Sequence, residues 1–557
     1  MKFDLRERIQ KALKDASLTT CTRWAENRVV MPAPFRGPIN FDRFPWQREI
    51  LDIERGTITV MKAAQIGYSI AGMIRALYVL SERREDVLYV LPTQGLAGDF
   101  SKGRLDALVE LSPQLRTLFK GGDSVGLKTT TERANLYIRG SVSSRGLVSV
   151  PVASAIIDEY DRCQDGTYDL VTERLSGQLN KYLFALSTPT LPEFGISKQH
   201  ALGTMEEFFF KCPSCSKHIT LRWPDNVIVC GDYPGDPESA KTQYICNECK
   251  AVLPHETKAE WLQGSAWVPA KPEVKGHRSF AINQMFSSTV TPEEMANASH
   301  KAELSEFAAI EFKNQKLGQA HMCEGARLTD QIIEACKIGG YTLGGERPED
   351  STRLICMGVD VGSFLDCWIA EFTFDRDPRN MPYENSTSKL LQATRIPSTD
   401  SNCWEQVGNL MREWQIRHAS VDFQPDTVNA RRFCRAFRGY ATMVAYRRGT
   451  VGNEIKVTED EQMVKCLTVD RTVFLDLALG RFHKGKIKIP GSIPGVVREH
   501  LKAPIRTFEI DDLGLPRGVY RSIADDHFAH AAAYCEIAFM QAFTQSTGRT
   551  IQAGEGY

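Results

Sequence analysis

Residues 58–69 read ITVMKAAQIGYS, a short apolar run that ends at Lys62, crosses a loop of small residues and enters the apolar stretch IAGMIRALYVL. A strand that breaks into such a loop and then begins a helix leaves backbone N–H groups at a helix N-terminus, where phosphate oxygens are held. Against the pattern G-x-x-x-x-G-K-[ST], Gly67 and Ser69 match, Lys62 stands at the first glycine position and Tyr68 at the lysine position. Taken alone, the segment Lys62, Gln65, Gly67, Tyr68, Ser69 reads more readily as a plain strand-to-helix turn. The stretch VASAIIDE changes that reading: an apolar run fit for a buried parallel strand ends in Asp158 and Glu159. Two carboxylates there are costly to desolvate unless they act, the aspartate by ordering Mg²⁺ and the glutamate by polarising an attacking water. FALSTPT (184–190) is another apolar strand, ending in the hydroxyls of Ser187 and Thr188. Three strand ends with this chemistry imply hydrolysis of a nucleoside triphosphate.

A second group of acids follows the stretch IGGYTLGGERPEDST (338–352), the best linker in the chain. LICMGVD ends in Asp360, DCWIAEFTF (366–374) reads as its hairpin partner, SKLLQATRI as a third strand, 402–415 as a helix, and HASVD as a short strand ending in Asp422. Late in the chain, Asp525 and Asp526 open an Ala-rich helix that also carries His530. Hairpin first, a later central strand and a final helix, each with an acid, is the order of an RNase H-like nuclease. There carboxylates converge on two metal ions about 4 Å apart. Asp-Asp at a helix start also complements the helix dipole without any catalytic role. Between these acids, Arg431, Arg435 and Arg438 are expected on one helix face with Arg432 beside them, in a stretch free of acids from 427 to 453. Such a stripe suits a solvated face and DNA phosphate contact equally.

Cys212-Pro-Ser-Cys215 and Cys246-Asn-Glu-Cys249 are two C-x-x-C pairs separated by residues 216–245. Two such knuckles place four thiolates in tetrahedral reach of one Zn²⁺, a zinc ribbon whose closed ligand set is structural. Cys230 lies in the spacer and is expected to be spare.

The lysine moved to the front of its loop, followed by Asp158-Glu159-Tyr-Asp161-Arg162, resembles the large terminase subunit of tailed phages, of the lambda gpA type. The resemblance spans roughly residues 40–540. It implies an α/β chain with an N-terminal ASCE or P-loop-type ATPase on a mostly parallel sheet, a zinc-ribbon and helical insert, and a C-terminal RNase H-like nuclease. It further implies ATP-driven translocation of double-stranded DNA into a procapsid, coupled to metal-dependent cutting of concatemeric DNA. ATP, Mg²⁺ (or Mn²⁺) and Zn²⁺ are the implied cofactors. The small terminase subunit, the portal protein and a homo-oligomeric ring are the implied partners, in the host cytoplasm and outside the mature virion. Residue by residue, Phe44-Pro-Trp46-Gln47 resembles the adenine-recognition motif, with Gln47 an adenine-reading amide. Lys62 and Ser69 would serve phosphates and Mg²⁺, Asp158 Mg²⁺, Glu159 the water and Thr188 the γ-phosphate. Arg145 resembles a trans-acting arginine finger, with Arg104 and Arg139 competing. Asp360 and Asp422 carry over as nuclease ligands, with Asp526 preferred to Asp525 as the third. Where many terminases carry a further Asp, this chain has His530.

A chain of 557 residues with net charge −1 and fifteen Cys predicts several domains and a reducing compartment. The charged start MKFDLRERIQKALKDAS suits no leader, and no uninterrupted apolar run reaches a membrane span, so a soluble cytoplasmic protein is expected. The expected divisions are a helix (about 5–27) and tether over 1–40, the ATPase over 41–205, a ribbon and mostly helical region over 206–345, and the nuclease over 346–557. Phe280-Ala-Ile-Asn-Gln-Met-Phe-Ser and Phe312-Lys-Asn-Gln-Lys-Leu-Gly318 resemble family stretches without an assignable role. The competing classes are a repair helicase-nuclease and a DNA-binding zinc-ribbon scaffold whose ATPase loop is inactive.

Overall fold

In parallel sheets buried on both faces, strands must be apolar almost without interruption. The runs GTITVMK, VLYVL, SAIID and YLFALS meet that demand and form strands β1 (Gly56–Lys62), β2 (Val87–Leu91), β5 (Ser154–Asp158) and β6 (Tyr182–Ser187). The computed structural model describes residues 20–547 apart from 120–123, 143–145, 148–149, 324, 346–352, 375–385, 448–454, 461–462 and 511–515. The chain divides into two compact units, Met1–Met322 and Cys323–Tyr557.

In the first unit, a hairpin of β3 (Leu127–Thr129) and β4 (Asn135–Gly140) forms one edge of the main sheet. The other edge is built by β7 (Glu206–Lys211), β8 (His218–Ile219), β9 (Ala266–Pro269) and β10 (His277–Ile282). The order is β8-β7-β10-β1-β6-β5-β2-β4-β3, with β9 paired to β7. From β7 through β4 every neighbouring pair is parallel. The strand carrying Lys62 is thus separated from the strand carrying Asp158 by β6 alone.

The ribbon-bearing stretch differs from the expected separate region over 206–345. β10 pairs with β1 along its whole length, from His277↔Thr57 to Ile282↔Lys62. Aromatic packing is the reason: Phe208 lies 5.0 Å from Trp267, and Trp267 lies 5.0 Å from Phe280, ring centre to ring centre. These side chains join the core that also holds Trp46 and Ile58. Residues 1–19 of the expected N-terminal helix lie outside the described residues. A helix α1 runs over Cys21–Arg28, its first turn capped by the Thr20 hydroxyl.

In the second unit the strands are β11 (Leu354–Val361), β12 (Phe364–Thr373), β13 (Thr387–Pro397), β14 (His418–Asp422) and β15 (Ala441–Tyr446). They lie side by side in the order β13-β12-β11-β14-β15 at the centre of a nine-stranded sheet. The first three are antiparallel, and β14 and β15 add in parallel. The final helix (His527–Thr547) crosses β11 so closely that a Cβ at Gly358 would sit 1.9 Å from the Ala531 carbonyl oxygen. Only glycine admits that approach, and it brings the start of the helix to the Asp360 end of the strand. No helix among the described residues is long and apolar enough to cross a membrane.

His200 is buried in the first unit beside His277, and its Nε2 has no partner among the described residues. Burial depresses its pKa from 6.5 to about 4. The neutral form is therefore the native one. Its contribution is complete above pH 6.5 and is lost as pH falls toward 4, on the order of 3 kcal/mol for a shift of this size. Urea unfolding at pH 7 and pH 4.5 should show a smaller loss for His200→Leu than for the wild type. Equal losses would contradict this assignment.

Candidate functional site

Lys62 ends β1, and its buried Nζ donates to Glu159 Oε1 at 2.9 Å and to Thr188 Oγ1 at 3.5 Å. The three residues come from the ends of β1, β5 and β6, at the C-terminal edge where ligands of open parallel sheets bind. Asp158 is 2% exposed; its Oδ2 accepts from Tyr89 at 2.9 Å, and its Oδ1 has no hydrogen-bond partner among the described residues. Burial raises its pKa, opposed chiefly by Lys62, with Ser69 also beside it. A buried carboxylate oxygen left open next to a hydroxyl suits a divalent cation. Glu159 turns away from the strand with φ +53°, which swings its side chain to Lys62.

The loop itself is held by an unusual set of donors. The Ile66 carbonyl accepts from Trp46 Nε1 at 3.3 Å and Gln47 Nε2 at 3.2 Å. The Trp46 carbonyl accepts from the Tyr68 hydroxyl at 3.3 Å and Trp267 Nε1 at 3.0 Å. Gln65 (φ +56°) and Gly67 (φ +87°) make the left-handed turn into the helix Tyr68–Tyr78. Two sequence expectations change here. Tyr68 is 1% exposed and its phenol is spent on Trp46, so its side chain lies in the core and away from the phosphate position. Gln47 is buried with its amide turned to the loop, where the alternatives had been adenine contact or a surface amide.

Asp161 was quoted in the sequence without a role. Its buried carboxylate accepts from Thr190 N and Oγ1, both at 2.8 Å, and from Ile196 N at 2.6 Å, while its own N–H donates to Ser187 Oγ. It fixes the backbone just beyond Thr188. The 280–287 stretch also gains a place: Gln284 Nε2 donates to the Ala64 carbonyl at 2.6 Å, and Asn283 Nδ2 to the Leu221 carbonyl at 2.8 Å.

The sulfur atoms of Cys212, Cys215, Cys246 and Cys249 all lie within 4.8 Å of one another. Both knuckles close alike, with Ser216 N donating to Cys212 O and Lys250 N to Cys246 O, and with Ser216 and Lys250 at φ +61°. A backbone N–H from Ala251 leads in bringing the Cys249 thiol down to about 7, whereas burial raises Cys212 to about 11. Cys230 stands outside the cluster.

In the second unit, Asp360 pairs across the hairpin with Asp366, and Asp422 lies one residue beyond the Val359↔Val421 pair of the neighbouring strand. Burial, aided by the Asp360 charge, pushes Asp422 up to about 7. His527 Nδ1 is 2.8 Å from Asp360 Oδ2, and a single ligand atom each from Asp360, Asp366 and His527 lie within 4.8 Å of one another. Asp366 is gripped by Arg395 through Nε and Nη2 at 2.8 and 3.0 Å. Asp526 is a correction. Burial alone would raise it, but His530 at 3.2 Å, Ser522 and Arg471 at 3.3 Å together hold it well below the usual carboxylate range. That carboxylate stays ionised and is turned to these three partners, outside the group of Asp360, Asp366 and His527; Asp525 is exposed. His527 and Asp366 were missed, although the five residues between Asp360 and Asp366 already fit a tight hairpin that sets the two acids opposite each other.

Of the arginines, Arg431, Arg432 and Arg435 lie on the helix Thr427–Ala436, and Arg438 falls beyond its end, with Nη2 on Met463 Sδ at 2.9 Å. Arg431 pairs with Asp460 at 3.1 Å, an acid outside the window that looked acid-free. Arg432 and Arg435 are exposed. Arg145 lies outside the described residues. Arg139 is tied to the Gly126 and Ile138 carbonyls, and Arg104 is exposed.

A phosphate-type loop whose strand is one removed from an Asp-Glu strand end defines an ATPase domain. Residues 33–267 match the family model for the phage terminase large subunit gpA, ATPase domain. Over that stretch the chain is similar to the phage terminase large subunits of the gpA type. The crystal structure of the HK97 bacteriophage large terminase shares the fold, at 12% identity and TM-score 0.50, covering 93% of this chain and 98% of that one. The large terminase ATPase domain of Thermus phage P74-26 aligns at 14% identity and TM-score 0.30, over 49% of this chain and 92% of that one. The large terminase nuclease of thermophilic phage G20c aligns at 11% identity and TM-score 0.24, over 37% of this chain and 95% of that one. No curated protein matches the chain.

Restoring the common loop lysine by Tyr68→Lys would bury an ammonium where a phenol now donates to Trp46. It should cost about 3 kcal/mol or more, read as a lower urea midpoint, and should not rescue ATP hydrolysis in a Lys62→Ala background. Rescue would show that position 68 faces the phosphates.

Proposed function

We propose that this chain is a terminase large subunit that hydrolyses ATP at the Lys62 loop to drive double-stranded DNA into a procapsid, and cuts concatemeric DNA at the Asp360 cluster. The observation that carries the reading is the meeting of Lys62, Glu159, Thr188 and the open Asp158 oxygen at three adjacent strand ends.

When a triphosphate enters, Lys62 exchanges Glu159 for phosphate oxygens, and the freed Glu159 orients the attacking water and accepts its proton. Thr188 stays within reach of the same lysine and registers the γ-phosphate. Ser69 and Asp158 would hold Mg²⁺, which supplies positive charge against the phosphate oxygens. Loop N–H groups hold the phosphates while the Trp46, Gln47 and Tyr68 contacts keep the loop in shape, so Gln47 acts on the loop and not on the base. Arg145 of a ring neighbour is the proposed finger.

In the second unit the central order β13-β12-β11-β14-β15 supports the RNase H-like reading. Asp360 and Asp422 suit a divalent cation, since Asp422 is a half-buried carboxylate beside the buried Asp360, with its pKa raised to about 7. Mg²⁺ or Mn²⁺ held there would supply charge to the scissile phosphodiester. Arg395 neutralises Asp366, which lowers the repulsion on Asp360, and His527 orients the Asp360 carboxylate. His527 takes the third place that the sequence had given to Asp526. Arg432 and Arg435 are the proposed phosphate contacts, with Arg438 nearby. The four cysteines would bind Zn²⁺ as a closed structural site that braces the β7–β8 edge of the ATPase sheet. The small terminase subunit, the portal ring, a ring of like subunits and the host cytoplasm complete the proposal by family.

ATP turnover should fall at least about 100-fold in Lys62→Ala and Glu159→Gln. Wild type with Mn²⁺ should nick and linearise supercoiled plasmid, and Asp360→Asn should lose cleavage but keep ATPase. No ATP turnover in wild type would leave the inactive-loop scaffold standing, full turnover in Lys62→Ala would remove the Lys62 assignment, and equal cutting by Asp360→Asn would remove the nuclease assignment. Metal analysis should find one zinc per chain, lost in Cys212→Ser/Cys249→Ser; zinc-free wild type of full stability would refute the ribbon.

A further inference from the structure

The 312–318 stretch, unassigned in the sequence, closes a hydrogen-bonded circuit around the phosphate site. On one side the Gln315 carbonyl accepts from Ala64 N at 2.8 Å. Gly318, at φ +62°, lies so close that a Cβ there would meet Ala63 N and the Ile282 carbonyl at 2.7 Å and the Lys62 carbonyl carbon at 3.0 Å. On the other side, Asn314 Nδ2 donates to the Thr190 carbonyl at 3.0 Å, and His321 N reaches the same oxygen at 3.3 Å. Thr190 is in turn held by Asp161, which is bonded to Ser187 next to Thr188.

The circuit therefore runs from the loop after Lys62 through Gln315 and Asn314 to Thr190, Asp161 and the strand end beside Glu159. Asn314 is 6% exposed, and its Oδ1 is buried without a partner among the described residues. A buried acceptor left open is costly, and here it marks a residue with a hydrogen bond in reserve. The backbone over Phe312–Lys316 is a π-turn, a wide form frequent at functional sites. Four residues after Gly318 the first compact unit ends, at Met322.

We propose that Asn314–Gly318 reads the occupancy of the phosphate site and passes it to the chain that leaves the ATPase unit, with Asn314 as the positioning residue. Phosphate entry draws Lys62 off Glu159 and loads the 63–69 backbone. Both ends of the circuit then shift, and Asn314 is the side chain that ties them into one response. The inference rests on the ATPase reading above, because the ligand it reports is that triphosphate.

Hydrogen–deuterium exchange of the full chain, with and without Mg²⁺ and ATPγS, tests it. In wild type, peptides covering 60–75 and peptides covering 325–338 should both slow on nucleotide addition, by about threefold or more. In Asn314→Ala, and in the near-isosteric Asn314→Leu, the 60–75 protection should persist and the 325–338 protection should vanish. Gln315→Ala keeps the backbone carbonyl and should behave as wild type. Persistence of the 325–338 response in whichever Asn314 variant folds overturns the proposal. So does a wild type that protects 60–75 and leaves 325–338 unchanged. Absence of protection at 60–75 in wild type would instead remove the ATPase reading beneath it.

Discussion

A buried ammonium needs a counter-charge, and in this chain Lys62 has one only because three strand ends meet. Its Nζ, on a side chain 6% exposed, is satisfied by Glu159 and Thr188. Neither is near it in sequence. Breaking such a pair from one side leaves an uncompensated buried charge, which is far more costly than the pair is stabilising. On the proposed function the arrangement has two tolerable states: lysine on glutamate, or lysine on phosphate with the glutamate released to water. That pairing of alternatives is what a hydrolytic site requires.

The rest of the first unit fixes the meeting point. β1 is held by β6 on one side and β10 on the other, so the loop strand is anchored by a segment more than two hundred residues away. Trp46, Gln47 and Tyr68 spend their polar groups on two carbonyls and give the loop one shape. The first Cys pair begins directly after β7, which pairs with β10, so the four-cysteine cluster is anchored to the main sheet of the first unit. In the second unit the same economy appears in another form: Gly358 lets the last helix touch β11, and His527 thereby reaches Asp360.

What the sequence made legible was chemistry at strand ends. Apolar runs closed by Lys62, Asp158, Thr188, Asp360 and Asp422 are visible because buried strands are apolar throughout, so a polar residue at a strand's C-terminal end stands out. The Cys spacing was equally plain. Long-range pairing was hidden: nothing local in HRSFAI says that it lies beside Lys62, and its neighbourhood read as helical. Position 68 misled because a motif match gives a position and not a direction, and the Tyr68 side chain turns into the core. Asp526 shows the same limit: its place before a helix suits a ligand, but nothing local says that its carboxylate meets Arg471, at the start of another helix, and His530.

The most direct test of the account is the affinity of a fluorescent ATP analogue for wild type, Lys62→Met and Glu159→Gln. If Lys62 chooses between Glu159 and phosphate, Lys62→Met should lose affinity at least about tenfold, the scale of one charged hydrogen bond. Glu159→Gln, with the competing carboxylate gone, should bind as tightly as wild type or more tightly. Weaker binding by Glu159→Gln, or unchanged binding by Lys62→Met, would mean that the ion pair does not stand in the nucleotide's place.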